Sequence, residues 1–180
     1  HSWQLGACVR NTAVGGHGRL LYRWESAQLS KSSWNPAGVL LQADTHFGES
    51  HGGLQAPFVI KHCDRYHMFY GGWKNICSAC SADGKTFARK LNHQRASQTF
   101  PGTGDALLRD PMVTLWKGRY FMYYTQEQGG RGAICARSSS DLLTWSHSET
   151  VNRGGNAGMG PADAECAFVF AKDDSLLLFR

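Results

Sequence analysis

Pro57-Phe58-Val59, Pro111-Met112-Val113 and Ala167-Phe168-Val169 are three copies of one strand opening, and their spacing decides the fold. Nine residues after each opening stand Tyr66, Tyr120 and Leu176; twelve after it stand Phe69, Tyr123 and Phe179. No gap is needed through these stretches, and the periods are 54 and 56 residues. Each copy reads as an apolar strand, a polar turn (61–65, 115–119 and 171–175) and a second strand rich in aromatics. The match continues downstream. Residues 76–87 align with 134–145, which places Cys77 on Cys135, Asp83 on Asp141 and Phe87 on Trp145. A four-residue insertion intervenes near 126–130, where a hairpin loop would accept it. A weaker copy precedes these at Gly18-Arg19-Leu20-Leu21-Tyr22-Arg23-Trp24, followed by Ser32-Ser33-Trp34; its first strand is expected at Leu5-Gly6-Ala7-Cys8-Val9.

A repeat of three or four strands with a recurring turn and aromatic signature is how propeller blades read. Helical periodicity is absent, and the strands of a sandwich would not recur in fixed order with aligned identities. The expectation is an all-β chain, a β-propeller with blades of about 55 residues, divided into units at 1–52, 53–106, 107–162 and 163–180. The chain then covers roughly three and a half blades. Each blade has only its neighbours to cover its faces, so a ring must close. Chain beyond Arg180, and before His1, or partner chains, are therefore expected to complete it. His1-Ser2-Trp3-Gln4 has neither an initiator Met nor a signal peptide and reads as a processed or trimmed start.

Composition narrows the function classes. The formal charge is +5, but the basic residues are scattered rather than aligned on one stripe, so no nucleic-acid partner is expected. No apolar run approaches the 18 or so residues of a membrane span, so no membrane partner is expected either. Cys77-Ser78-Ala79-Cys80 lacks the second pair that a zinc site needs. It also lies within a strand, where residues three apart face opposite ways, so these read as core cysteines. His46, His51, His62 and His67 crowd one region of the chain, but a loop and a strand turn do not hold ligands at one point. No metal and no cofactor is expected. The glycine clusters at 15–18 and 129–132 are turns, because no helix follows them to receive a phosphate. The six cysteines permit disulfides without requiring them, so the compartment stays open, with a lean to an extracytoplasmic one.

The first strand of a blade lines the central channel, so polar residues at its entry face the axis. In the aligned units these are Gln55-Ala56, Arg109-Asp110 and Glu165-Cys166. Two successive blades thus bring a carboxylate to the axis, and glycosidic cleavage needs carboxyl groups around one sugar. Arg109-Asp110-Pro111 and Glu165-Cys166, in this register, resemble motifs of the five-bladed-propeller glycoside hydrolases, the clan of family 32 invertases and fructosidases and family 43 arabinanases and xylosidases. The surrounding Pro-Phe-Val, Tyr-x-Met-Phe-Tyr-Gly-Gly and Ser-x-Asp-Gly-Lys-x-Phe are similar to family 43, over roughly residues 18–180.

The resemblance implies a five-bladed ring, a carbohydrate substrate of arabinan, xylan or fructan type, and hydrolysis. It makes Glu165 the general acid, with Asp110 holding sugar hydroxyls, stabilising the oxocarbenium-like transition state and tuning the acid. Arg109 would balance that pair or bind substrate, and a Glu beside a second carboxylate in a partly desolvated channel is expected to have a raised pKa. Gln55, Trp73 and Trp116 are further substrate-binding candidates; Tyr70 and Tyr124 could stack on sugars but fit the core better. One position departs from the clan: its third carboxylate stands on the first strand of the first blade, and Leu5-Gly6-Ala7-Cys8-Val9 holds no acid. Asp44 and Glu49 are the nearest substitutes by sequence. A carbohydrate-binding propeller without catalysis and a protein-interaction propeller are the alternatives. The sequence leaves the oligomeric state open.

Overall fold

Four antiparallel sheets follow one another along the chain, as the repeat requires. In the computed structural model, which describes residues 2–30, 34–102, 106–154 and 160–180, the first sheet is β1 (Trp3–Val9), β2 (Leu20–Ser26) and β3 (Asn35–Gln42). The second is β4 (Gln55–His62), β5 (Arg65–Gly71), β6 (Asn75–Ser81) and β7 (Ala88–Arg89), with β8 (Gln98–Pro101) also paired to β6. The third is β9 (Leu108–Trp116), β10 (Arg119–Gln128), β11 (Arg131–Ser139) and β12 (Glu149–Arg153); β13 (Phe168–Lys172) and β14 (Ser175–Phe179) begin the fourth. Two 3₁₀ turns, Thr45–Phe47 and Gly160–Ala162, are the only helical pieces among the described residues. The chain is an all-β propeller segment.

Blades stack face to face, so their middle strands are covered on both sides and lose the alternation of a half-exposed strand. Met68, Phe69 and Tyr70 are consecutive and all buried. Met68 and Tyr70 pack towards the first blade with Leu21, Leu41 and Leu54; Phe69 packs towards the third with Leu108, Met122 and Tyr124. Met112, Tyr123 and Ile134 meet Ala167 and Val169 of the fourth blade. Cys77 and Cys135, equivalent in the repeat, are both fully buried, while Cys80 is half-buried and Cys63 and Cys166 are exposed; all six thiols are free.

The first sheet corrects the expectation for Leu5–Val9. Strand β1 runs opposite to β4: Cys8, near its end, donates its thiol to the Leu54 carbonyl at 3.4 Å, just where β4 begins. At its start, Gln4 shares the Glu25 carboxylate with Lys85, which follows the far end of β6. Packing order agrees. Strand β9 lies against β4, then β5, then β6, in decreasing extent, and β4 lies against β1 and then β2. Strand β1 therefore takes the place of a second strand and β2 that of a third. Three serines seal the assignment. Ser26, Ser81 and Ser139, each closing a third strand, are buried and each accepts a backbone N–H two residues on, from Gln28, Asp83 and Asp141, at 3.2 Å. Ser32 and Ser33 of the weaker copy lie outside the described residues.

Candidate functional site

The entries of β4 and β9 carry the same irregularity. Between Gln55 and Phe58, the pair Ala56-Pro57 opposes the single residue Tyr70; between Arg109 and Met112, Asp110-Pro111 opposes Tyr124. These are β-bulges, and proline fits them because the extra residue has no ladder partner for its N–H. Ala56, Asp110 and Cys166 take φ of 47°, 55° and 58°, a left-handed conformation uncommon for residues with a side chain. The bulge thus fixes two positions per blade: Gln55, Arg109 and Glu165 at one, Ala56, Asp110 and Cys166 at the next. The two carboxylates occupy neighbouring register positions rather than the same one.

Arg109 joins them. Its Nε and Nη2 donate to Glu165 Oε2 at 3.2 and 2.8 Å, Nη2 also donates to the Pro161 carbonyl at 2.9 Å, and Nε stands 3.5 Å from Asp110 Oδ2. Both carboxylate oxygens therefore lie within contact of one nitrogen. Side-chain exposure is 12% for Arg109 and 13% for Asp110 but 39% for Glu165, so solvent reaches the third member most. Thr125, fully buried, donates its hydroxyl to Asp110 Oδ2 at 3.0 Å and accepts the Cys166 N–H at 3.2 Å. Burial pushes the Asp110 carboxyl above the usual range, and Glu165 adds to this. Thr125, Arg109 and the Cys166 thiol pull the other way without winning. Burial and the two carboxylates push the Cys166 thiol up to about 11.

Gln55 lies beside this group. Gly71 makes the approach possible: a Cβ there would sit 3.1 Å from both Gln55 Cγ and Arg109 Cα. Gln55 is buried and accepts from Arg19 Nη1 at 2.9 Å, while its Nε2 has no hydrogen-bond partner. The Arg19 guanidinium lies 5.0 Å from the ring centre of Trp73, so Trp73 reaches the group through Arg19. Trp116 does not reach it. It ends β9, six residues beyond Asp110, which is about 20 Å along a strand. There it packs against Phe121, with Lys117 over its ring. Tyr70 and Tyr124 are fully buried core residues. Glu49 is also unavailable. Its side chain is 0% exposed and paired with Arg89 at 2.8 Å, while Asp44 caps the 3₁₀ turn that follows it through the His46 N–H. Among the described residues no group of three or more His, Cys, Asp or Glu could hold a metal ion.

Sequence reasoning missed Thr125 and Arg19. Thr125 had a signal: it stands where the second unit has Gly71, so a polar group replaces none beside the bulge. Arg19 had none, because residues 18–24 read as a second strand by composition while β2 holds a third-strand place.

No family model matches this chain. A probable arabinan endo-1,5-alpha-L-arabinosidase D of Emericella nidulans is 24% identical over 131 residues, 62% of this chain and 30% of the relative. A sucrose-6-phosphate hydrolase from Lactobacillus gasseri superposes with a TM-score of 0.74 at 14% identity, over 98% of this chain and 37% of that one. A Bombyx mori GH32 beta-fructofuranosidase gives 0.71 at 18% identity over 98% and 38%. A thermostable family-43 glycoside hydrolase gives 0.66 at 20% identity over 98% and 59%. The fold is that of the β-propeller glycoside hydrolases, and the chain spans about a third of the length of the first three.

Proposed function

We propose that this chain supplies two carboxylates of a glycoside hydrolase centre acting on furanose or pentose glycans of arabinan, xylan or fructan type. The observation that carries the reading is Arg109 bridging Asp110 and Glu165 at bulged strand entries on adjacent blades. Glu165, the more exposed, gives its proton to the leaving glycosidic oxygen as the C–O bond breaks and its electron pair moves to that oxygen; water then forms the new C–O bond at the anomeric carbon and returns a proton to the protein. Asp110, held by Thr125, faces the positive charge that develops on the sugar. Arg109 fixes the separation of the two groups and binds substrate oxygens alongside Gln55. The resemblance implies a third carboxylate on a first strand. Because β1 takes a second-strand place, the acid-free stretch Leu5–Val9 does not count against it.

Release of reducing sugar from arabinan, xylan, fructan and aryl glycosides by the full-length protein tests this. Turnover of at least one, reduced at least a hundredfold in Glu165→Gln and Asp110→Asn, is expected. Full activity in Glu165→Gln refutes it. A second reading, glycan binding without cleavage, draws on the ion pair itself, since a carboxylate held by Arg109 also suits hydroxyl binding. Affinity for one of these glycans with no product would select it.

A further inference from the structure

The four-residue insertion of the third unit has a structural outcome at the end of the blade where the acids stand. Strand β5 ends at Gly71 and β6 resumes at Asn75, whereas β10 runs on to Gln128 and β11 starts at Arg131. Register pairing of Gln128 with Arg131 closes a two-residue turn. Gly129 and Gly130 both have positive φ, 61° and 75°, as a tight hairpin turn of this length requires. The hairpin is tied down close to its tip, where Glu127 N–H donates to the Leu107 carbonyl at 3.0 Å. It rises from Thr125, the residue that holds Asp110, and Gln128 lies three residues further, about 10 Å along the strand.

Behind this hairpin is a cleft of about 530 Å³ lined by Ala106, Glu127, Gln128, Thr150 and Arg153. Gln128 is already oriented: its Nε2 donates to Thr150 Oγ1 at 3.0 Å and to Cys135 Sγ at 3.4 Å. The wall offers an amide, a hydroxyl, a carboxylate and a guanidinium, so it presents donors and acceptors with one charge of each sign. An apolar ligand would strand these groups, and a strongly charged one would meet its own sign. A neutral molecule rich in hydroxyls satisfies them all.

We infer that the extended β10–β11 hairpin builds a distal subsite for a neutral oligosaccharide, occupied by sugar residues beyond those at Asp110 and Glu165. The inference rests on the proposed glycan-directed function and adds that longer chains are preferred to short ones.

The test uses the full-length protein with arabino- and fructo-oligosaccharides of two to six residues and matching aryl glycosides. The variants are Arg153→Ala, which empties an exposed position, and Thr150→Trp, which fills the cleft from an exposed strand residue. KM for the hexasaccharides should rise about tenfold in both, as expected for losing one or two hydrogen bonds, with disaccharides and aryl glycosides within about twofold of the parent. Equal effects on short and long substrates, or none on the long ones, overturn the subsite while leaving the hydrolase reading intact. Calorimetric titration of the hexasaccharides into Glu165→Gln gives an arm that needs no turnover. Binding there that weakens in both variants, with no hydrolysis by the parent, keeps the subsite and removes the hydrolase. Neither binding nor turnover removes both.

Discussion

Replacing Glu49 by Gln separates a structural hub from a catalytic substitute, and the structure fixes the size of the effect. Glu49 Oε1 accepts from Tyr70 Oη at 2.7 Å and from Arg89 Nε and Ser97 Oγ at 2.9 Å. Its Oε2 accepts from Arg89 Nη2 at 2.8 Å and the Asp44 N–H at 2.9 Å. A glutamine keeps one acceptor and turns an NH₂ group towards donors, so at least two charge-assisted bonds are lost and Arg89 is left unneutralised. With the carboxylate fully buried, breaking the pair should cost about 3–5 kcal/mol. For a protein of this size that lowers the melting temperature by about 6–20 °C. Burial alone would raise the Glu49 pKa, but hydrogen bonds from Arg89, Tyr70 and the Asp44 N–H outweigh it and hold it below the usual range. A depressed carboxyl pKa stabilises the fold above the unfolded value, about 4.3, and that stability is lost as pH falls through the folded pKa. The melting difference between Glu49→Gln and the parent should therefore be full at pH 7 and shrink below about pH 4. Scanning calorimetry across pH 3–8 checks both parts. A variant that melts with the parent at neutral pH, or a gap that does not close in acid, refutes the hub.

Other outcomes follow from single contacts. Thr125→Val removes the hydroxyl that pulls the Asp110 carboxyl down, so the acid limb of the rate–pH profile should move to higher pH, with Thr125→Ser restoring it. The Cys166 thiol, pushed up to about 11, should alkylate slowly at pH 8 although exposed, its rate climbing about tenfold per pH unit. Peptide mass spectrometry would show this, and a plateau before pH 9 would contradict it. Asp83, which accepts the N–H groups of Thr86 and Lys85 and the Ser81 hydroxyl, should titrate near pH 2 by carboxyl NMR rather than at the ordinary value. A Cβ at Gly132 would lie 2.6 Å from the Pro161 carbonyl and 2.8 Å from that of Ala164, in the segment that carries Glu165. Gly132→Ala should cost about 1–3 kcal/mol in denaturant melts and reduce any hydrolysis with it.

The propeller was legible because blades repeat in strict register and each strand's burial is dictated by its neighbours. Phe69 and Tyr123, Cys77 and Cys135, Asp83 and Asp141 occupy equivalent places, and identity at matched spacing is a long-range signal that one sequence can carry. The first unit was harder to read. Gly18 to Trp24 resembles a second strand in composition, since both middle strands of a blade are apolar and aromatic, and nothing local distinguishes them. The distinguishing mark is Ser26, whose turn matches Ser81 and Ser139, but Gln28 replaces the aspartate that makes the other two conspicuous. Trp116 failed for a related reason: position on a first strand says that a residue is near the axis, not at which end.

Why the site is readable at all follows from the bulge. A left-handed residue before proline at 56 and 110, and the same twist at 166, is strain that the fold accepts in each blade whatever side chain is present. Ala56 does no chemistry there, so the bulge is part of the blade rather than a consequence of catalysis. It re-aims the entry residues, and the proposed chemistry then depends on which side chains occupy two slots. In the second blade they are Gln55 and Ala56; in the third, Arg109 and Asp110; in the fourth, Glu165 and Cys166. Arg109 can reach Asp110 and Glu165 together because slots one register position apart on adjacent blades converge at the axis. A repeat built for packing thereby becomes a rack of paired positions, and residues more than fifty apart in sequence share one guanidinium. The same logic makes the slots exchangeable. Gln55→Glu should place a third carboxylate on Arg19, whose Nη1 already donates to the Gln55 amide oxygen at 2.9 Å, without altering the backbone, and its charge should add to that of Glu165 in raising the Asp110 carboxyl. The acid limb of activity would shift while the melting temperature moved little. A large loss of stability instead would show that the bulge and its side chains are not independent.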